Sequence, residues 1–245
     1  MKANKTVFIT GSSRGIGKAI AEKFAKEQYN VVLNCKSSID EMNKIINNLK
    51  IITPNIIGIQ ADVGNYQDAE KAFNKIYSVF DSIDVLVNNA GISYIGTFNT
   101  MSPNQWDEII NTNLKSAINC SHLALQYMIK NHNGNIINIS SMWGVCGASC
   151  EVIYSATKGG LNTFTKALAK EVAPSGIRVN ALSCGVIDTG MNSFLDNEEK
   201  QNLTDEIPLC RFGSPKEVAD TVYYLAGENS SYITGQILGV DGGMI

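Results

Sequence analysis

In the stretch CEVIYSATKGG, from Cys150 to Gly160, a tyrosine and a lysine stand four residues apart at the start of a helix-like segment. That spacing puts Lys158 one turn beyond Tyr154 on the same helix face, where an ammonium can act on a phenol. An unperturbed tyrosine titrates near pH ~10 and is too weak a base at neutral pH for rapid alcohol oxidation. A fixed positive charge nearby favours the phenolate and lowers that pKa, by roughly 1–3 units. The ordinary alternative is a half-buried aromatic followed by a solvated helix charge. Composition bears on the choice. The chain has two histidines, His122 and His132, so an enzyme built on it is expected to move protons through an altered tyrosine, lysine or carboxylate.

Such a pair needs a frame, and the apolar pattern predicts one. Runs at 6–10 (TVFIT), 30–35, 55–60, 83–89, 135–140, 177–183 and 236–241 read as strands buried on both faces. Amphipathic segments at about 15–28, 39–50, 66–80, 103–131, 153–173 and 215–226 read as the helices between them. The alternation predicts an α/β fold: a single Rossmann-type, doubly wound parallel sheet of about seven strands with helices on both faces. The whole chain, 1–245, is expected to form one dinucleotide-binding and catalytic domain. Only 184–214 breaks the alternation. Its charged helical piece around 194–206 is expected to belong to a lid over a ligand site, at 190–206, the alternative being a surface insertion.

Bulk properties exclude several classes. A net charge of −3 and a pI near 5.5, with no basic run, argue against nucleic-acid or anionic-membrane partners. No apolar stretch approaches the roughly 20 residues of a membrane span, and the N-terminus lacks a signal peptide's apolar region, so a cytoplasmic location is expected. Six scattered cysteines without a CxxC pair argue against a metal site and fit reduced thiols.

In open parallel sheets, ligands sit beyond the carboxyl ends of the strands. The first strand runs into TGSSRGIG, Thr10 to Gly17, and then a helix. Gly11, Gly15 and Gly17 would let the backbone turn tightly, approach a pyrophosphate and pack the helix on the strand, with free amides facing the anion. After the second strand comes NCKSS, Asn34 to Ser38, without the carboxylate that would grip a ribose 2′-hydroxyl. Arg14 with Lys36 or Ser37 would instead hold a 2′-phosphate, which favours NADP(H) over NAD(H); the alternative is solvated surface charge. Asp62, in QADV, is either an acceptor for the adenine amino group or a helix cap before residue 66. NNAG, Asn88 to Gly91, follows the fourth strand, where small residues would admit the cofactor and asparagine amides would tie strands together.

Taken in order, TGSSRGIG, NNAG, Asn113 in NTNLKS, Ser141 in NISS, and Tyr154 with Lys158 in YSATK resemble the short-chain dehydrogenase/reductase family over nearly the whole chain. The resemblance implies an active site of Asn113, Ser141, Tyr154 and Lys158. Ser141, not Ser140, is the match, thirteen residues before the tyrosine. It also implies cofactor contacts from Ser13, Ile16, Asn34, Val63, Asn89, Ala90, Gly91, Gly185, Ile187 and Thr189, and a homotetramer. In such a site Tyr154 would give its proton to a ketone oxygen while the nicotinamide delivers hydride. Ser141 would hold that oxygen. Lys158 would tune the phenol and bind the nicotinamide ribose, and Asn113 would fix a water that replaces the proton. A non-catalytic NADP(H)-sensing regulator is the contrasting reading, and the intact set of four argues against it.

TNLKS, EVAPSGIRVNAL and SSYITGQILGVDGGM are similar to bacterial 3-oxoacyl-(acyl-carrier-protein) reductases, enzymes of fatty acid biosynthesis. Three features depart from them. Arginines that often meet the carrier protein are replaced by the turns NHNGN and APSGI, leaving His132 and Ser175. A proline-glycine becomes Cys184-Gly185. The stretch SSMWGVCGASCEVIYS, with DEIPLCR, is instead similar to a subgroup that reduces a 5-aminopentanone group on a lysine of elongation factor P. Trp143 and Glu151, beside Tyr154, would suit an alkyl chain ending in a cation; core packing and a solvated loop charge are the alternatives.

Overall fold

The computed structural model describes residues 4–192 and 195–245. Along the first strand, β1 (Thr6–Ile9), side chains alternate between two cores as a pleated strand requires. Val7 and Ile9 pack with Ile20 and Phe24 of α1 (Gly15–Lys26) and with Val218 and Val222 of the last long helix, α9 (Pro215–Ala226). Phe8 faces the other way, edge-on to Phe73 of α3 (Tyr66–Phe80) with ring centroids 5.4 Å apart. A fully buried aliphatic or aromatic side chain contributes roughly 1.5–3 kcal/mol, so both faces of the strand are strongly held.

Six further strands follow: β2 (Asn30–Cys35), β3 (Ile56–Gln60), β4 (Val85–Asn88), β5 (Gly134–Ser141), β6 (Ile177–Cys184) and β7 (Ile237–Val240). All pair in parallel in one sheet of order β3-β2-β1-β4-β5-β6-β7. The remaining helices are α2 (Ile39–Leu49), α4 (Pro103–Ile110), α5 (Ser116–Asn131), α6 (Trp143–Cys146), α7 (Val152–Val172) and α8 (Asn197–Asp205). The expected doubly wound architecture is present. Strand order reverses between β1 and β4, so the loops after these two strands open a crevice at their carboxyl ends.

Three expectations need correction. β3 and β7 are not buried on both faces, because they are the edges of the sheet. The segment 103–131 is helical throughout but is not a uniform α-helix: a π-turn over Asn111–Lys115 joins α4 to α5. Between β5 and α7 the chain also forms the short α6, too brief to leave a periodic signal. Within the expected lid, Asp196 caps α8 by accepting a hydrogen bond from the Glu199 amide at 2.8 Å. Ser193 and Phe194, also in that stretch, lie outside the described residues. Among the described residues, no helix is long and apolar enough to cross a membrane.

Candidate active site

The glycine loop leaves β1 at Thr10 and is built around close approach. Gly11 has φ +60°, and a Cβ there would stand 2.8 Å from the Ala90 Cα. Gly17 is tighter still: a Cβ would lie 2.6 Å from both the Asn89 amide nitrogen and the Gly11 carbonyl oxygen. Asn89 donates through Nδ2 to the carbonyls of Thr10 and Gly11, each at 2.9 Å, which binds the NNAG loop to the glycine loop. The Thr10 hydroxyl accepts from the amides of Asn89 and Ala90. The result is a shallow cradle with room only for backbone, the form a pyrophosphate needs.

Other expected cofactor residues divide by what they touch. Asn34 is buried, accepts from the Gly11 amide and donates to the carbonyls of Ile59 and Ala61, so its amide is spent supporting the loop. Val63 and Ile187 turn their side chains into the core and Ile16 packs against it, leaving backbone to face a ligand. Ser13 is nearly buried, and Ser37 and Arg14 are exposed. Lys36 pairs with Asp62 at 2.9 Å on the surface. Asp62 also accepts from the Gly64 amide, while the cap of α3 is Asn65, which accepts from Asp68. Asp62 is therefore not the helix cap. Thr189 lies across from the glycine loop, its methyl 3.5 Å from where a Cβ of Gly15 would be. Gly185, after Cys184, is pressed on Asp241, where a Cβ would come within 2.6 Å of the Asp241 Cα.

The four expected catalytic residues converge beyond β4 and β5. Tyr154 is in the first turn of α7, and Ser141 ends β5 opposite Cys184 of β6. Ser141 is close enough to the phenol to oppose the rise in its pKa, whereas Ser140 donates to the Lys158 carbonyl at 3.3 Å. Lys158 is buried; its Nζ donates to the Ile139 carbonyl at 2.7 Å and lies 5.6 Å from the Tyr154 ring centroid. A Cβ on Gly91 would stand 3.6 Å from that Nζ and 3.5 Å from Asn113 Oδ1, so glycine keeps open the space all three share. Asn113 occupies the π-turn, a distortion that recurs at functional sites. Its Oδ1 accepts from the Ile92 amide at 2.8 Å, and its Nδ2 donates to the Ile92 carbonyl and to Thr157. Both donors are used, leaving one Oδ1 lone pair for a water.

Electrostatics reverse one expectation. The phenol is not lowered in this resting protein: burial pushes the Tyr154 pKa well above its ordinary value, Ser141 opposes this, and the Glu151 carboxylate adds to it. Tyr154 as a whole residue is half-buried. Burial draws the Lys158 ammonium down to about 8, against a smaller upward influence of Cys184. The Cys184 thiol, where a proline was expected, is pushed up to about 12 by burial.

On the substrate side, Trp143 is half-buried rather than packed in the core, and its backbone N–H donates to Ser141 Oγ at 3.2 Å. Glu151 is half-buried and accepts from the Ser93 hydroxyl. Ser93 carried no sequence signal. Asn119, whose Nδ2 donates to the carbonyls of Val63 and Gly64 at 3.1 Å, could have been found as Asn113 was, as an asparagine inside a helix.

A family model described as short chain dehydrogenase matches residues 5–200. The chain belongs to the short-chain dehydrogenase family. It is accordingly an oxidoreductase acting between alcohol and carbonyl, of a family that uses a nicotinamide cofactor. Among the similar proteins, a 3-oxoacyl-[acyl-carrier-protein] reductase FabG of Staphylococcus aureus is 40% identical over 244 residues, covering 100% of this chain and 99% of that protein. The FabG of Aquifex aeolicus is 42% identical over 243 residues, with 98% and 97% covered. An uncharacterized oxidoreductase, YmfI, of Bacillus subtilis is 40% identical over 241 residues, with 98% of each covered. Among solved structures, a putative gluconate dehydrogenase of Agrobacterium tumefaciens superposes with a TM-score of 0.94 at 31% identity, covering 98% of this chain and 95% of that one. For a short-chain dehydrogenase the cradle fits its cofactor: Gly11 and Gly17 admit only backbone, and Gly91 leaves space before Lys158 and Asn113.

Proposed function

We propose that this short-chain dehydrogenase works as one catalytic unit, in the cytoplasm, and reduces a ketone to a secondary alcohol with NADPH. The observation that carries the reading is the chain of contacts among the four: Asn113 and Lys158 meet beside Gly91, Lys158 lies by the Tyr154 ring, and Ser141 acts on the phenol. A bound NADPH would supply the hydride. Tyr154 gives up the proton, and its raised proton affinity keeps it charged with that proton at neutral pH, as an acid in reduction must be. Ser141 steadies the carbonyl oxygen. Lys158 is near enough to bind a ribose and to replenish the phenol. Arg14, Lys36 and Ser37 favour NADP(H), with Lys36 exchanging its Asp62 partner for the 2′-phosphate.

The substrate read first is a 3-oxoacyl group on acyl carrier protein, after the FabG relatives. The ketone on a lysine of elongation factor P is favoured by one observation. The two turns that lack arginine touch: His132 ends α5 in the left-handed region, and a Cβ on Gly176 would be 2.8 Å from the His132 carbonyl oxygen. Neither turn offers an acidic carrier a guanidinium of its own, and Arg178, which lines the hollow beside them, spends its guanidinium on the carbonyls of Ile233, Leu225 and Gly227. NADPH oxidation with acetoacetyl carrier protein and with ketone-modified elongation factor P separates the two; the substrate turned over at least about tenfold faster is assigned, and equal rates contradict the argument from the turns. A homotetramer fits the exposed Ile110, Ile118, Tyr127 and Ile129 along α4 and α5 and the exposed Ala156 on α7.

A further inference from the structure

The groups assigned to proton transfer stand on two separate arms. Asn113 belongs to the π-turn that joins α4 to α5, and Tyr154 to the first turn of α7. Two paths of hydrogen bonds connect them. In one, Asn113 Nδ2 donates to the Thr157 hydroxyl at 3.3 Å, and that hydroxyl donates to the Tyr154 carbonyl at 2.7 Å. In the other, Asn113 holds both backbone groups of Ile92, and Ser93, the next residue, donates its hydroxyl to the Glu151 carboxylate. Glu151 directly precedes α7, and its own carbonyl accepts from the Ser155 amide at 2.8 Å. The two paths close a ring that runs from the π-turn through the loop at 92–93 to the first turn of α7 and back.

Each side chain in the ring has its bonding capacity directed to this task. Thr157 is 2% exposed. Its single proton is committed to the Tyr154 carbonyl, so toward Asn113 it can only accept, which turns Nδ2 to it and Oδ1 away. Thr157 thereby helps to set which end of the amide is left for a water. Glu151 stands at the N-cap of α7 but accepts no hydrogen bond from that helix's first amides; its carboxylate is turned to Ser93 instead. The Gly96 amide, donating to the Cys150 carbonyl at 2.9 Å, fastens the same loop a second time. Loss of one side-chain tie therefore shifts the loop without releasing it. Shifts are costly at a reacting centre, where a displacement of about 1 Å can lower a rate by about 10²-fold.

We propose that Thr157 and the Ser93–Glu151 pair are positioning residues of the reduction, holding the Asn113 amide in register with Tyr154. Through them the proton given up by the phenol is replaced from solvent by way of the water at Asn113. The proposal rests on the ketone-reductase reading and adds no bond-making step to that reaction.

The test compares the full-length wild type with Thr157→Val, which keeps the shape and removes the hydroxyl, and with Ser93→Ala, in NADPH oxidation with a ketone that the wild type reduces. Each variant should lower kcat at least about fivefold and leave the KM for NADPH within about twofold. Thr157→Ser, which restores the hydroxyl, should return kcat to near the wild-type value. The same two substitutions in an Asn113→Ala background should cost no further kcat, because the residue they act through is gone. Equal losses in both backgrounds would mean that they only support the fold, and overturn the proposal. A wild-type kcat in Thr157→Val, or a loss that Thr157→Ser does not repair, overturns it too. If Thr157→Val fails to fold, Ser93→Ala carries the comparison; if Asn113→Ala is too slow to read, the split between kcat and KM together with the serine rescue decides. A wild type that reduces no ketone sinks the reductase reading and the proposal with it, whereas an active wild type beside variants of unchanged kcat sinks the proposal alone.

Discussion

The Lys158 ammonium sits where charge is costly, with the Ile139 carbonyl oxygen at 2.7 Å as its hydrogen-bond acceptor. Burial lowers its pKa from 10.5 to about 8. Between those values the folded protein binds fewer protons than the unfolded chain, so stability rises with pH relative to a chain lacking the group. The cost of the charged lysine is full below about pH 8 and is relieved as pH rises toward 10.5. Lys158→Met removes the ammonium. In urea unfolding without cofactor, the stability of the variant minus that of the wild type should fall by on the order of 3 kcal/mol between about pH 7 and about pH 10. A difference independent of pH would show that the ammonium is not strained. The pairing of Tyr154 with Lys158 was legible from their spacing, because one helical turn fixes which side chains share a face. The direction of the tyrosine's shift was not, since it depends on how many atoms the sheet and Cys184 bring round the phenol, and tertiary packing decides that.

At the scale of elements, the cradle proposed for the cofactor is the meeting of two loops. Gly17 has no room for a methyl between the Asn89 amide, the Gly11 carbonyl and Ser12. Gly17→Ala should push the NNAG loop off the glycine loop, raising the KM for NADPH at least about tenfold and costing about 1–3 kcal/mol of stability by thermal unfolding, as overpacked sites do. Unchanged KM would mean that the two loops do not jointly hold the cofactor. The glycine motif and the strands were readable because close approach demands glycine and buried parallel strands are continuously apolar. The π-turn at Asn111–Lys115 was not readable as such: one extra residue in a turn leaves the helical pattern of 103–131 nearly intact. Only the awkward asparagine at 113 marked the place. Glu151 was visible as a charge near Tyr154, but its turn away from the helix amides toward Ser93 needed coordinates.

Across the whole molecule, the strand order brings distant stretches to one point. Val87 of β4 pairs with Ile9 of β1, Asn88 with Asn138 of β5, and Ser141 of β5 with Cys184 of β6, so the loops after β1 and β4 and the polar end of β5 share one rim. Buried amides reinforce this: Asn88 donates to Asn138 at 2.8 Å, and Asn138 to Thr165 of α7 at 2.8 Å, which fixes α7 to the sheet. Such a frame has one chemical purpose in this account, to hold a protonated phenol against a carbonyl that is being reduced. NADPH oxidation with a ketone substrate, wild type against Tyr154→Phe, tests that most directly. The account predicts a loss of at least about 10³-fold in kcat with the fold and NADPH binding retained. Turnover in the phenylalanine variant within a few fold of the wild type would contradict it.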